Sequence, residues 1–210
     1  MIKDIIRIKY ADSLLPESWV FDGGDKQKML PIIFSAFLVI ADGRRILVDA
    51  GCEAMPGFAM QNHITPMAAL QQHGYDVTDI TDVVITHADH DHIECVKYFP
   101  HAAVHIQRDE LERGREYLKD NADVRPFDNA YLLTDGLIIR KIGGHTVGSS
   151  VVECYKDGTI YVLCGDECYS RYNLTNRMPT ATSVSPADSV AFIEKYTGED
   201  YTCLFCHEAE

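Results

Sequence analysis

At 210 residues, 46% apolar and 24% charged, the chain carries enough hydrophobic material for a packed core and no stretch that reads as a linker, so residues 1–210 are expected to form a single domain. Its formal charge of -13, from 32 acidic against 19 basic residues, disfavours a nucleic-acid partner and suits a small neutral or cationic substrate. The opening residues Met1-Ile2-Lys3-Asp4-Ile5-Ile6-Arg7 contain no uninterrupted apolar run, and no later stretch has the length of a membrane span, so a cytoplasmic protein without membrane contact is expected.

Ile2 to Tyr10 alternates apolar and polar residues and predicts a strand, followed by a Pro/Gly/Asp-containing segment with the only tryptophan, Trp19. Trp19 and Phe21 suit either core or pocket wall. Ile32 to Ile40 predicts a buried strand, turned by Asp42-Gly43 into Arg45 to Val48, which ends at Asp49-Ala50-Gly51. Asp49 taken alone is a plain turn residue. Thr65, Pro66 and Gly74 bracket a helix, with His73 on its surface. Val83 to Ile85 is a short buried strand, and Ile93 to Phe99 predicts a helix stopped by Pro100. Val104 to Ile106 reads as a strand and Asp109 to Lys119 as a charged helix, with His101 and His105 structural. The second half predicts a meander: Ala130 to Leu133, Leu137 to Ile142, Ser149 to Tyr155 and Thr159 to Cys164. A helix over Pro186 to Tyr196 and a short strand from Cys203 to Phe205 complete it.

Between the strand at Val83 and the helix at Ile93 lies Thr86-His87-Ala88-Asp89-His90-Asp91-His92. Three histidines and two carboxylates at the mouth of a buried strand serve no folding purpose, and imidazole and carboxylate are the ordinary ligands of zinc, iron and manganese. Other strand exits carry the same chemistry: His145 among glycines in Gly143 to Ser149, Asp166 after Gly165, and His207. Two divalent ions need roughly eight to ten ligand positions between them, more than the opening cluster supplies, and a carboxylate such as Asp166 can bridge two ions about 3.5–4 Å apart. Seven scattered cysteines suit reduced, buried thiols. Cys203-Leu204-Phe205-Cys206-His207 has the C-x-x-C-H form of haem attachment, which requires an export signal that the chain is not expected to have.

These motifs, in this order, resemble the metallo-beta-lactamase superfamily over nearly the whole chain. Leu47-Val48-Asp49-Ala50-Gly51 is similar to its first motif, Thr86 to His92 to its T-H-x-H-x-D-H motif, Gly144-His145-Thr146-x-Gly148-Ser149 to its third, Gly165-Asp166 to its fourth and His207 to its fifth. The resemblance implies an α/β (α+β) fold, a four-layer αββα sandwich, with the site at one edge of two sheets. It also implies that Asp49 supports a ligand through a hydrogen bond, that His87, Asp89 and His145 hold one ion, that Asp91, His92 and His207 hold the other, and that Asp166 bridges. The family pattern breaks at Asp89, where a second histidine is usual. Three carboxylates against two divalent ions leave one positive charge where two carboxylates would leave two, which makes the bridging water less acidic and shifts preference from zinc towards iron or manganese. The alternative is that Asp89 points away and the first site is weak or empty.

Asp166-Glu167-Cys168-Tyr169, with Arg171-Tyr172-Asn173-Leu174 beyond it, is most similar to the N-acyl-homoserine lactonase-like branch. The resemblance implies a dinuclear hydrolase that opens lactone or related ester rings: a metal-bridging hydroxide attacks the carbonyl, Tyr169 donates a hydrogen bond, and Asp91 carries the proton to the leaving oxygen. The partner is then a small-molecule ester or lactone, and a homodimer is left open. Three rivals share the scaffold: a glyoxalase II-like thioester hydrolase, disfavoured because the chain ends three residues after His207; a di-iron oxidoreductase, which needs a flavodoxin-like domain; and a non-catalytic metal-binding sensor.

Overall fold

The computed structural model describes residues 1–209. β1 (Ile2–Pro16) and β2 (Met29–Ala41) pair antiparallel along most of their length. The strand expected as far as Tyr10 thus continues to Pro16. A register shift between Lys9 and Ala11 leaves Tyr10 as an extra residue, and such a bulge resets the period of two that identifies a strand. β2 turns into β3 (Arg44–Val48), and the chain then builds parallel strands β4 (Asp82–Ile85), β5 (Ala103–Gln107) and β6 (Val124–Phe127), for a six-stranded sheet in the order β1-β2-β3-β4-β5-β6. β6 carries no strand signal in the sequence because it holds Pro126, a residue that sheets accept on an edge strand and not in the interior.

The expected meander is β7 (Ala130–Thr134), β8 (Leu137–Lys141), β9 (Ser150–Lys156) and β10 (Thr159–Leu163). β11 (Tyr201–Leu204) adds parallel to β10, giving a second sheet in the order β11-β10-β9-β8-β7. Helices α1 (Glu17–Val20), α2 (Pro66–Gln72), α3 (His90–Ile93), α4 (Leu111–Leu118), α5 (Arg171–Asn176) and α6 (Pro186–Tyr196) flank the sheets. α2 starts as expected, with Thr65 accepting from the Ala68 N–H and Pro66 in the first turn. The helix expected over Ile93 to Phe99 is instead the single turn α3 followed by a 3-10 turn, Glu94–Tyr98. Its ladder is diverted: the Cys95 N–H donates to the Gly51 carbonyl at 3.0 Å, the His92 carbonyl accepts from the Ala50 N–H at 2.7 Å, and the Asp91 carbonyl accepts from Tyr10 Oη at 3.1 Å.

Apolar residues fall into three groups that make four layers. On β2, Phe34, Ala36 and Leu38 face the helices with Leu70, Ile93 and Val96, while Phe37 and Val39 face the second sheet with Ile46, Val84, Leu137, Ile139 and Val152. Beyond that sheet, Val151 and Val162 pack against Phe192, Ile193 and Tyr196 of α6. This is the expected αββα sandwich. All seven cysteines are buried and unpaired, and among the described residues no helix is long and apolar enough to cross a membrane. Ile46 is wholly buried between the sheets, so Ile46→Ala should cost about 2–5 kcal/mol of stability in urea unfolding. A loss below about 1 kcal/mol would contradict this packing.

Candidate metal centre

Parallel pairing decides where the polar loops meet. β3 and β4 run parallel, so Asp49 and Thr86 leave the first sheet side by side, and β10 and β11 run parallel, so Asp166 and His207 leave the second sheet together. The loop between β8 and β9 adds His145. The two edges are stitched across by the Ser150 N–H to the Thr86 carbonyl at 2.9 Å and the Ile33 N–H to the His207 carbonyl at 3.2 Å. Gly165 permits the close approach: its φ is 51°, and a Cβ there would lie 3.0 Å from Thr86 Oγ1.

Four imidazoles converge, each with Nδ1 engaged by the scaffold. His92 Nδ1 lies 2.8 Å from Asp49 Oδ2, His207 Nδ1 lies 2.9 Å from the Ile33 carbonyl, and His87 and His145 place Nδ1 3.0 Å from the hydroxyls of Thr86 and Thr182. Donation from Nδ1 leaves each Nε2 with its lone pair, the tautomer that ligates a metal. His90 turns elsewhere, to Tyr117 Oη at 3.1 Å and the Ala54 carbonyl at 2.9 Å. His105 is structural as expected, 2.9 Å from Asp82.

Asp166 stands between the imidazoles. Its Oδ1 is 3.1 Å from both His92 Nε2 and His207 Nε2, and its Oδ2 is 3.8 Å from His87 Nε2 and 3.7 Å from His145 Nε2. Asp91 Oδ2 joins the first pair, 3.6 Å from His92 and 3.5 Å from His207. Asp89 joins the second, with Oδ2 3.1 Å from His145 Nε2 and 3.5 Å from His87 Nε2. Asp89 therefore turns into the site, and its Oδ1 pairs with Arg113.

The donor set suits a divalent cation. Nε2 of both His87 and His92 is buried without a hydrogen-bond partner, an expensive arrangement unless something else takes the lone pairs. Burial lowers the His87 pKa, and His92 adds to the effect. At His92 burial is outweighed by Asp166 and Asp49 and at His145 by Asp89 and Asp166, which hold both above the ordinary histidine range, and His207 is raised likewise. Burial would raise the Asp166 pKa, but His92 and His207 hold it well below the usual carboxylate range. A field that draws protons onto three buried imidazoles also draws a metal cation.

Several residues support these side chains; Asp49 was implied by the resemblance, whereas Glu167 and Cys206 carry no sequence signal of their own. Asp49, with φ 63°, accepts from the Thr86 N–H at 2.8 Å and from its hydroxyl, besides His92, and so is no plain turn residue. Glu167 is buried under the His145 loop, where its Oε1 accepts from the N–H groups of Gly144 and His145 and from the Ser149 hydroxyl. Cys206 Sγ lies 3.6 Å from Asp166 Oδ1, and burial pushes its thiol up to about 12, so it stays protonated. Asn173 is fully buried and donates to the Val20 carbonyl at 3.3 Å.

Above the site opens a cavity of about 200 Å³, walled by Leu15, Trp19, Phe34, Met55 and Phe58, with Asp89, Asp91, Asp166 and Tyr169 at its floor. Trp19 is thus pocket wall, half-exposed against Phe58. Tyr169 and His207 also line a neighbouring cavity of about 340 Å³ with Val20, Phe21, Leu30 and Tyr172.

An αββα sandwich with histidines and aspartates gathered at one edge of its sheets defines a metallo-hydrolase fold. The family model of the metallo-beta-lactamase superfamily matches residues 33–176, and the chain belongs to that superfamily. It is 26% identical over 188 residues to probable metallo-hydrolases of Mycobacterium bovis and Mycobacterium tuberculosis, a match covering 70% of this chain and 61% of each relative, so the chain spans about three fifths of the length of those proteins. In structure it is similar to an N-acyl homoserine lactone hydrolase with the product N-hexanoyl-L-homoserine at its catalytic metal centre, with TM-score 0.84, 20% identity, and 99% of this chain and 94% of that one covered. It is also similar to a dizinc quorum-quenching lactonase, with TM-score 0.80, 15% identity, and 99% and 90% covered.

His92, His145 and His207, raised above 6.5, contribute stability that is complete below that pH and is lost as pH rises through their folded values. His87, lowered, contributes the opposite way, and Asp166 loses its contribution only in acid. The metal-free protein should therefore melt at lower temperature as pH is raised from about 6 to about 9, and a melting temperature that rises over that range would contradict these assignments.

Proposed function

We propose that this metallo-beta-lactamase-fold hydrolase binds two divalent ions and hydrolyses carboxylic esters, with lactones as its substrates. The observation that carries this reading is the division of Asp166, one oxygen towards the His92–His207 pair with Asp91 and the other towards the His87–His145 pair with Asp89. When bound, such a pair of ions supplies an acidified water and a Lewis acid for the carbonyl oxygen. The protein's own groups do the rest. Burial and the Asp166 carboxylate hold the Tyr169 phenol well above its ordinary range, so at neutral pH it keeps its proton and can donate to the developing oxyanion. The Tyr169 ring packs edge-on at 5.0 Å from the His207 imidazole, which fixes where that hydroxyl points. Asp91 lies at the cavity floor with an oxygen directed at the reacting region, placed to take a proton from water and return it to the leaving alkoxide.

The cavity supports an uncharged ester over a charged one. Its walls are apolar, which favours an uncharged small ring or short acyl group. The structural likeness to lactone hydrolases supports the same substrate class.

His92→Ala should remove bound transition metal from the purified protein, as read by elemental analysis, and an unchanged content would contradict the two-ion reading. Tyr169→Phe should lower kcat by about 10²-fold with metal content unchanged. In a panel of acyl-homoserine lactones, simple gamma-lactones and thioesters, lactone opening is expected, whereas thioester cleavage without any lactone opening would overturn the substrate assignment.

A further inference from the structure

Asp89 depends on partners outside its own loop. While Oδ2 faces His145 and His87, Oδ1 is taken up by Nη2 of Arg113 on α4. The other terminal nitrogen of the same guanidinium, Nη1, lies 3.3 Å from Oε2 of Glu110. Glu110 is fully buried and its remaining bonds reach both sides of the centre: Oε2 accepts from the Ala88 N–H at 2.9 Å, and Oε1 accepts from the Thr146 hydroxyl at 2.7 Å and the Gly148 N–H at 2.9 Å. One carboxylate therefore ties the loop that carries Asp89 to the loop that carries His145. Gly114 allows α4 to approach closely enough for this, since a Cβ there would lie 3.0 Å from Ile93 Cδ1.

We propose that Arg113, seated on Glu110, is a positioning residue that makes Asp89 a one-oxygen ligand of the ion at His87 and His145, and so directs that position towards manganese or iron over zinc. The proposal rests on the two-ion reading above. A carboxylate beside two imidazoles is otherwise free to rotate into solvent or to chelate with both oxygens. A guanidinium holding Oδ1 leaves Oδ2 alone for the ion and keeps coordination positions open for water and substrate. It also returns one positive charge where Asp89 brings a negative one that the usual histidine lacks. Two imidazole nitrogens with two carboxylate oxygens, from Asp89 and Asp166, form a harder donor set than three imidazoles with one carboxylate. Arginine is suited to the place because separate nitrogens reach Asp89 and Glu110 at once, whereas a lysine presents a single point charge. As a bare ion pair at a half-exposed arginine the contact would be worth little, so its effect is expected on the metal and not on the fold.

The test compares the wild-type chain with Arg113→Gln, Arg113→Lys, Asp89→His and the Asp89→His/Arg113→Gln pair, each stripped of metal and titrated separately with Mn²⁺ and Zn²⁺ against a chromophoric chelator, with bound ions counted by elemental analysis. Arg113→Gln should keep the ion at His92 and His207 and bind the other about 10- to 100-fold more weakly, the loss being greater for Mn²⁺ than for Zn²⁺. Arg113→Lys should recover part of that affinity, and it carries the comparison should the Gln variant fail to fold. In the Asp89→His background the same Arg113→Gln change should have little effect, because a neutral imidazole needs no guanidinium. Unchanged affinity in both single Arg113 variants, or an equal loss with and without Asp89, would overturn the role of Arg113 while leaving the two-ion reading intact. A wild-type chain that takes up neither ion would overturn both.

Discussion

A single carboxylate, Asp166, fixed between four imidazoles with almost no access to water, is the constraint on which the rest of this structure depends. Burial of that charge is affordable only because His92 and His207 lie 3.1 Å from one oxygen and His87 and His145 under 4 Å from the other. Those imidazoles are themselves aimed by the scaffold: Asp49, Thr86, Thr182 and the Ile33 carbonyl each occupy an Nδ1. The fold delivers these groups by putting the exits of parallel strands from two different sheets at one edge. Neither sheet alone supplies all four imidazoles.

The ligand types were legible in the sequence because imidazole and carboxylate clusters at strand exits have no packing role that would otherwise explain them. The side chains of His87, Asp89, Asp91, His92, His145, Asp166 and His207 meet at one edge of the sheets, whereas His90 turns away from them. What escaped depends on three-dimensional closure. Tyr10 reaches the Asp91 carbonyl only because a bulge redirects it, and a bulge erases the alternation by which a strand is recognised. Glu110 looks like one more charge at the start of a charged helix, yet it is fully buried because two loops remote in sequence bring N–H groups to it. The helix expected after His92 shortened to one turn because its carbonyl and N–H groups are spent on Gly51, Ala50 and Tyr10.

The site also separates what the fold shares from what this chain adds. Asp166, the histidine pairs and the Asp49–His92 hydrogen bond lie in the stretches that resemble the superfamily's motifs. Asp89 departs from that pattern and pairs with Arg113, and Trp19, Phe34 and Phe58 wall the cavity above the site. One scaffold serves many reactions, so substrate choice has to come from such walls and from the charge balance at the ions, not from the sandwich itself.

The central claim is that Asp166 bridges two metal ions. Anomalous X-ray diffraction from metal-loaded crystals, collected on either side of the absorption edge of the bound metal, tests it most directly. Two peaks about 3.5–4 Å apart are predicted, one beside His92 and His207 and the other beside His87 and His145, with Asp166 between them. A single peak, or peaks that make no contact with Asp166, would contradict it.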